Sequence, residues 1–354
     1  MQVKRVFANL LFDDKFMRKM LKSAAVLGLA SIIGLLNSAD VLACASCGCT
    51  LSSDWSNQQF AYTPGLRVDM RWDFIDQNQL RRGTGTISPS AASQVMENGS
   101  PAEVEKYTRN NYYTLGIDYS KTPDWGVNVQ IPFIDRSHST LGTASDGTYA
   151  GPGGGQYDSH TESFGDVKIV GRYQGFIPGC STLGLLFGVK LPTGSHTETG
   201  ISTDPTAPGL VPVDRGLQPG TGTTDVIFGA YYTNSITQNL GYFAQVLFQR
   251  ALYSEDEYTP GEGLNLNLGL RYLGFSGFEP QVQFNFRHVL HDTGAQADML
   301  NTGGTLLYVS PGVSVSVGNN VSIYGFVQVP VYQDVIGIQL APRATTSLGM
   351  RYSF

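Results

Sequence analysis

Three cysteines lie within six residues, Cys44-Ala45-Ser46-Cys47-Gly48-Cys49, and a fourth, Cys180, sits alone in Pro178-Gly179-Cys180-Ser181. Thiolates so closely spaced could chelate a soft ion such as Cu(I) or Zn(II). In an oxidising compartment the same four groups would instead pair as disulfides, in one of three connectivities. No Cys-x-x-Cys-His occurs, so covalent haem attachment has no support. A second chemical set is ionic: Arg67, Asp69, Arg71 and Asp73 at every second residue, then Asp118, Asp166, Lys168, Arg172, Lys190, Arg271, Arg287 and Arg351. Mixed charges inside a low-dielectric wall either neutralise one another and stiffen it, or line a path that selects solutes by charge and hydrogen bonding. The surplus of arginine would let weakly anionic or aromatic solutes stack and pair.

Other motifs carry little. Gly151-Pro152-Gly153-Gly154-Gly155 and Gly220-Thr221-Gly222-Thr223-Thr224-Asp225 lack the Lys-Ser/Thr of a phosphate loop. The five histidines, His138, His160, His196, His288 and His291, are not forced next to a serine by spacing, so no nucleophile–base pair is expected and the chain does not read as an enzyme.

The elements that must position these charges are strands. Leu66, Val68, Met70, Trp72 and Phe74 alternate with the first charged set, and Leu264, Leu266, Leu268 and Leu270 alternate with Asn265, Asn267 and Arg271. Val282, Phe284 and Phe286 oppose Gln283, Asn285 and Arg287, and Leu183, Leu185, Phe187 and Val189 oppose Gly184, Gly188 and Lys190, with Leu186 the exception. Twelve candidate strands lie near 65–77, 109–120, 125–136, 164–175, 182–192, 223–234, 240–253, 263–273, 278–290, 304–317, 321–333 and 343–354. Short turns (121–124, 176–181, 235–239, 274–277, 318–320) alternate with long segments (78–108, 137–163, 193–222, 254–262, 291–303, 334–342). Such sorting of connections onto opposite ends marks a transmembrane antiparallel up-and-down β-barrel of the bacterial outer membrane, polar side chains inward, with short turns in the periplasm. Tyr113, Tyr119, Trp125, Tyr173, Tyr232, Tyr242, Tyr272 and Tyr352 fall near strand ends, where interfacial girdles belong. The last strand, Leu348-x-Met350-x-Tyr352-x-Phe354, ends on an aromatic and would engage the barrel-assembly machinery.

The front of the chain agrees. Residues 1–43 read as a signal peptide: Arg18, Lys19 and Lys22 precede an apolar run from Ala24 to Leu36, with a small-residue exit at Ala43 and Met17 as an alternative start. Residues 44–60 form a Cys-rich periplasmic segment, and 61–354 the barrel. Ordinary signal-peptidase cleavage is expected, with lipidation of Cys44 as the alternative reading of Val41-Leu42-Ala43-Cys44. The leader takes six of 23 basic and three of 29 acidic residues, leaving 17 and 26, a net charge of −9. That excludes nucleic acid as the main partner.

Several stretches resemble the family of outer-membrane transporters associated with the meta-pathway of phenol degradation. They are Phe164-Gly165-Asp166-Val167, Gly171-Arg172-Tyr173, Gly188-Val189-Lys190-Leu191-Pro192-Thr193-Gly194, Gln218-Pro219-Gly220-Thr221-Gly222-Thr223-Thr224-Asp225, Tyr258-Thr259-Pro260-Gly261, Gly269-Leu270-Arg271-Tyr272 and the closing Gly349-Met350-Arg351-Tyr352-Ser353-Phe354. The likeness runs from about residue 60 to the end and implies passage of small aromatic or hydrophobic compounds. It supplies no catalytic residues. The expectation is therefore a channel in outer-membrane lipid for passive movement of small solutes, without a cofactor, with Arg67, Arg71, Lys168, Arg172, Lys190, Arg271 and Arg287 lining the path. Loops 137–163 and 193–222 would restrict its mouth. The rival expectation is a non-transporting scaffold whose cysteine segment binds Cu, Zn or a periplasmic redox partner.

Overall fold

A computed structural model describes residues 64–97, 100–101, 104–141, 156–176, 181–203 and 208–354. The leader, Cys44, Cys47, Cys49 and Cys180 lie outside them, and with them the signal-peptide, disulfide and metal expectations. The strands are Gly65–Gly83 (β1), Val104–Ser120 (β2), Trp125–Leu141 (β3), Tyr157–Phe164 (β4), Lys168–Tyr173 (β5), Thr182–Lys190 (β6), Asp225–Thr237 (β7), Leu240–Ala251 (β8), Gly263–Tyr272 (β9), Phe278–Val289 (β10), Gly304–Val317 (β11) and Val321–Ser353 (β12).

Eleven of these close a ring: β1, β2, β3, then β5 through β12, which returns to β1. β4, the short strands Thr199–Ser202 and Gly209–Pro212, and Gly85–Thr86 join the same sheet outside the ring. Every pairing is antiparallel. Closure removes the edges that an open sheet would expose.

The count differs from twelve for a local reason. β12 is a single element of 33 residues that pairs with β11 through residues 321–335 and with β1 through residues 335–353. The backbone bond from Ser353 N–H to Asn320 O (2.8 Å) brings its two ends together. Residues 334–342, expected as a loop, are strand throughout. Val-Ile-Gly-Ile-Gln-Leu-Ala itself alternates, and Ile338 and Leu340 pack with Leu80, Ala92 and Val104 in a small core of their own. That apolar face rewards continued pairing, so the loop reading was wrong there. The same extension carries β1 to Gly83 and β3 to Leu141, well past the ends expected from the sequence. Of the expected strand 164–175 only Lys168–Tyr173 (β5) forms, after a break at Gly165-Asp166-Val167, while β4, also paired to β3, ends at Phe164 and occupies part of the expected loop 137–163.

The period-2 sidedness is preserved. Arg67 and Asp69 are buried while Met70 is 61% exposed, and Asn265 and Asn267 are buried while Leu264, Leu266, Leu268 and Leu270 are outward and exposed. No helix among the described residues is long and apolar enough to cross a membrane, which leaves a strand-built wall as the apolar surface. A continuous outward apolar band facing water would far exceed the patch a soluble monomer tolerates. At the short-turn end Tyr119, Trp125, Tyr272 and Tyr352 form an exposed aromatic belt, with Trp125 and Tyr173 ring centres 4.7 Å apart.

Candidate functional site: an amphipathic chamber

Inward parity on each strand collects the polar groups into layers. Nearest the short turns, Asp118 bridges two staves: it accepts from Arg67 (2.9 Å) and from Arg172, which also reaches Ser120. One layer up, Asp69 meets Arg351 (3.5 Å) and accepts the Tyr324 hydroxyl (2.8 Å). Arg71 pairs with Asp73 (2.8 Å), whose other oxygen accepts from Ser347 (2.6 Å). Tyr324 sits against Gly349, where a Cβ would come within 2.2 Å of the ring. Uncharged groups then run around the wall: Asn267 donates to Gln245 (3.1 Å), Asn285 to Asn267 (2.7 Å) and Ser310 to Asn285 (2.6 Å). These networks satisfy buried polar atoms that would otherwise cost several kcal/mol apiece. Arg271, inward at the end of β9 beside Gly241, stands apart from these clusters.

Toward the long-loop end the interior holds a cavity of about 240 Å³. Its wall is amphipathic. Val170, Leu186, Ile227, Tyr231 and Leu247 form one apolar cluster and Ile75, Tyr112 and Ile134 another. Leu186, which broke the alternation of its strand, is inward and buried here. The cations at the cavity are Arg71, Arg136, Lys168, Lys190, Arg215 and Arg287; the anions are Asp73, Asp166, Asp225 and Asp292. Six against four leaves an excess of two positive charges in a partly apolar enclosure, where each charge acts more strongly than in water.

The lid of the chamber is the segment after β6. Asp166, turned inward where β4 and β5 separate, holds both ends of that segment. Its Oδ1 accepts the Gly194 N–H (3.0 Å), and its Oδ2 accepts the Thr221 N–H (3.0 Å) and hydroxyl (2.9 Å). Lys190 lies 3.0 Å from Asp166 and 3.1 Å from Asp225. Gly194 and Gly220 meet backbone to backbone, with room for no Cβ on either. Beyond this neck the turn Arg215–Leu217 hangs into the barrel. Arg136 donates to the Leu217 carbonyl and, with its other groups, to Asn110 (2.6 Å) and Tyr112 (2.6 Å). Arg215 donates to the carbonyls of His196 (3.1 Å), Thr221 (3.0 Å) and Glu255 (3.2 Å) and stacks on the Tyr258 ring. Tyr258 in turn donates to Asp292 (2.9 Å), which also accepts the Gly261 N–H (2.8 Å). Burial first, then the nearby Asp298 charge, push the Asp292 carboxyl up to about 6, against the pull of those hydrogen bonds.

The seven basic residues expected along the path, and Asp69, Asp73 and Asp166 of the same ionic set, are inward, but they fall into separate groups. Lys168, Lys190, Asp166 and Arg287 line the chamber with Arg71 and Asp73, whereas Arg67, Asp69 and Arg172 are engaged nearer the short turns. Sequence reading does not single out Arg136, Arg215 or Asp292, and it meets Asp225 and Tyr258 only inside the family-like stretches. Parity on β3 and β7 points to Arg136 and Asp225, whereas nothing in a loop sequence reveals that Arg215 folds inward. Outside the barrel, Ser137 Oγ lies 3.0 Å from His160 Nδ1, a serine–histidine contact that spacing alone did not indicate.

No protein-family model matches the chain, and no curated protein matches it. Among solved structures, an outer-membrane channel from Pseudomonas putida F1 superposes with a TM-score of 0.57 over 83% of this chain and 97% of its own, at 11% identity. The translocator domain of the autotransporter NalP from Neisseria meningitidis matches at a TM-score of 0.46 and 13% identity, over 87% of this chain and 94% of its own. A mutant of the monoaromatic hydrocarbon channel TodX matches at 0.46 and 9%, over 83% and 91%. The first of these likenesses assigns the fold: the chain is a closed antiparallel β-barrel of the outer-membrane type.

Proposed function

We propose that this protein is an outer-membrane channel for passive, energy-independent movement of small solutes, aromatic or otherwise hydrophobic and weakly anionic ones above all. The two halves of β12 count as separate staves in this reading, giving a twelve-stranded barrel with both ends on the periplasmic side. The observation that carries it is the chamber: a cavity of about 240 Å³ whose wall joins two apolar clusters to an excess of cations. An apolar ring desolvates against Leu186, Ile227 and Tyr112, while an attached acidic group is drawn to Lys168, Arg136 or Arg287. No step requires a cofactor or a catalytic group.

The scaffold alternative gains no support from the described residues, since its cysteines lie outside them. Reconstitution tests the channel. Purified protein in liposomes should speed the entry of benzoate-sized aromatic acids over that of sugars of similar mass. Equal, protein-independent rates for both would refute the proposal.

A further inference from the structure

The outward wall of β2, β3 and β4 carries a chemistry unrelated to the chamber. Cross-strand register stacks three rows there. The lowest is aromatic: Trp72, Tyr113, Phe133 and Phe164 are successive neighbours across four strands, with Phe133 and Phe164 in edge contact at 5.4 Å. Directly above it, toward the long loops, come Asn111, Asp135 and Glu162, and above those Arg109, Ser137 and His160. His160 and Glu162 are two residues apart on one strand and so share a face.

Asp135, His160 and Glu162 present ligand atoms that all lie within 4.8 Å of one another. His160 Nε2 is 3.2 Å from Glu162 Oε1, and His160 Nδ1 is 3.8 Å from Asp135 Oδ1. Ligands of a tetrahedral zinc ion, with bonds of about 2.0–2.2 Å, lie roughly 3.3 Å apart; an ion takes one ring nitrogen, so Nε2 and Glu162 stand near that spacing, while Asp135, beside Nδ1, has to swing toward it. Among the described residues, neither carboxylate has a Lys or Arg within ion-pair distance, so the two negative charges converge on one imidazole with no fixed cation to balance them. The groups that orient the cluster are in place. Ser137 Oγ holds His160 Nδ1 at 3.0 Å; Asn111 donates to the other Asp135 oxygen (3.2 Å), and the Trp72 indole N–H donates to Asn111 (3.1 Å). Outer partners of this kind fix ring and carboxylate orientation in metal sites.

We propose that Asp135, His160 and Glu162 form a binding site for a divalent transition ion of the zinc class on the outside of the barrel. One imidazole and two carboxylates suit Zn(II), Co(II) or Ni(II) better than Ca(II) or Mg(II), which favour all-oxygen shells. The position relative to a lipid headgroup layer rests on the outer-membrane reading, and the ion binding itself does not.

The test uses the full chain, folded in detergent and with its cysteines reduced and alkylated, titrated with Zn(II) by calorimetry and with Co(II) by visible absorption. One equivalent should bind. His160→Ala and Glu162→Gln should each weaken it at least about a hundredfold, and Ser137→Ala about ten- to a hundredfold. His196→Ala, which alters the other histidine–carboxylate group in the external loops, should leave this affinity unchanged. Heat-dependent gel mobility reports whether each variant folds, and agreement of two different ligand variants guards against a folding artefact. The proposal is overturned if the alkylated protein binds no ion, or if binding survives His160→Ala and is lost in His196→Ala. Because these side chains face away from the chamber, solute flux is unaffected either way, and failure here is distinguishable from failure of the channel reading.

Discussion

Replacing Asp166 with alanine should unlatch the chamber's lid. The carboxylate makes four contacts, with the N–H groups of Gly194 and Thr221, the Thr221 hydroxyl and the Lys190 ammonium. Hydrogen bonds to a charged group contribute about 1.5–3 kcal/mol each, and removing one partner of a buried ion pair costs about 3–5 kcal/mol. These terms overlap, and Lys190 keeps Asp225 at 3.1 Å, so the lower end of that range applies. A loss of about 3 kcal/mol raises the ratio of unlatched to latched lid about 150-fold. The barrel ladder does not run through this neck, so the wall itself should stand. Single-channel conductance in planar bilayers should rise and become noisier, and limited proteolysis should cut between residues 195 and 219 faster than in the native chain. Asp166→Asn, which keeps shape and one acceptor, should fall between the two. Native conductance together with a native digestion pattern in Asp166→Ala would refute the latch.

The sidedness of the wall predicts that Leu266→Arg, on the outward face, lowers unfolding stability in lipid by about 2–4 kcal/mol, whereas Asn265→Arg, one residue away and inward, costs far less; equal losses would contradict it. Charge reversal of the chamber by Lys168→Glu with Arg287→Glu turns its balance from six cations and four anions to four and six, and the zero-current potential in a KCl gradient should shift toward cation preference. Asp292 should give a pH dependence of a definite sign. Its folded value near 6 exceeds the ordinary 3.8, so the folded state holds the proton more tightly. Its contribution is then complete below about pH 4 and lost as pH rises through 6, a swing of about 3 kcal/mol. Thermal unfolding should show lower stability at pH 8 than at pH 5, and Asp292→Asn should flatten that difference.

The alternation of β1, β9 and β10 is enough to imply the fold, because a pleated strand between lipid and a wet interior must place unlike side chains on its two faces. The parity rule that put Leu264 outside and Asn265 inside also put Arg67, Asp69, Arg71 and Asp73 inside. Where a second apolar contact was on offer, local reading failed. Ile338 and Leu340 look like the middle of a loop until Leu80 and Val104 are seen to cover them. Leu186 breaks the alternation of its strand because it packs inward against Val170 and Ile227 on the two neighbouring strands.

Sequence alone determined the core of the wall: the alternating stretches that form its strands, which side their residues face, and that the short turns gather at one end. Those follow from a period of two and from turn chemistry, both local. Which charges meet was settled only by the closed ring. Asp118 reaches Arg172 across more than fifty residues, and Arg215 enters the barrel because Arg136, Tyr258 and the Asp166 neck hold it there. Side-chain pairing at such separations depends on register around the whole ring and on the path of a loop, and neither is written in any local stretch of the chain.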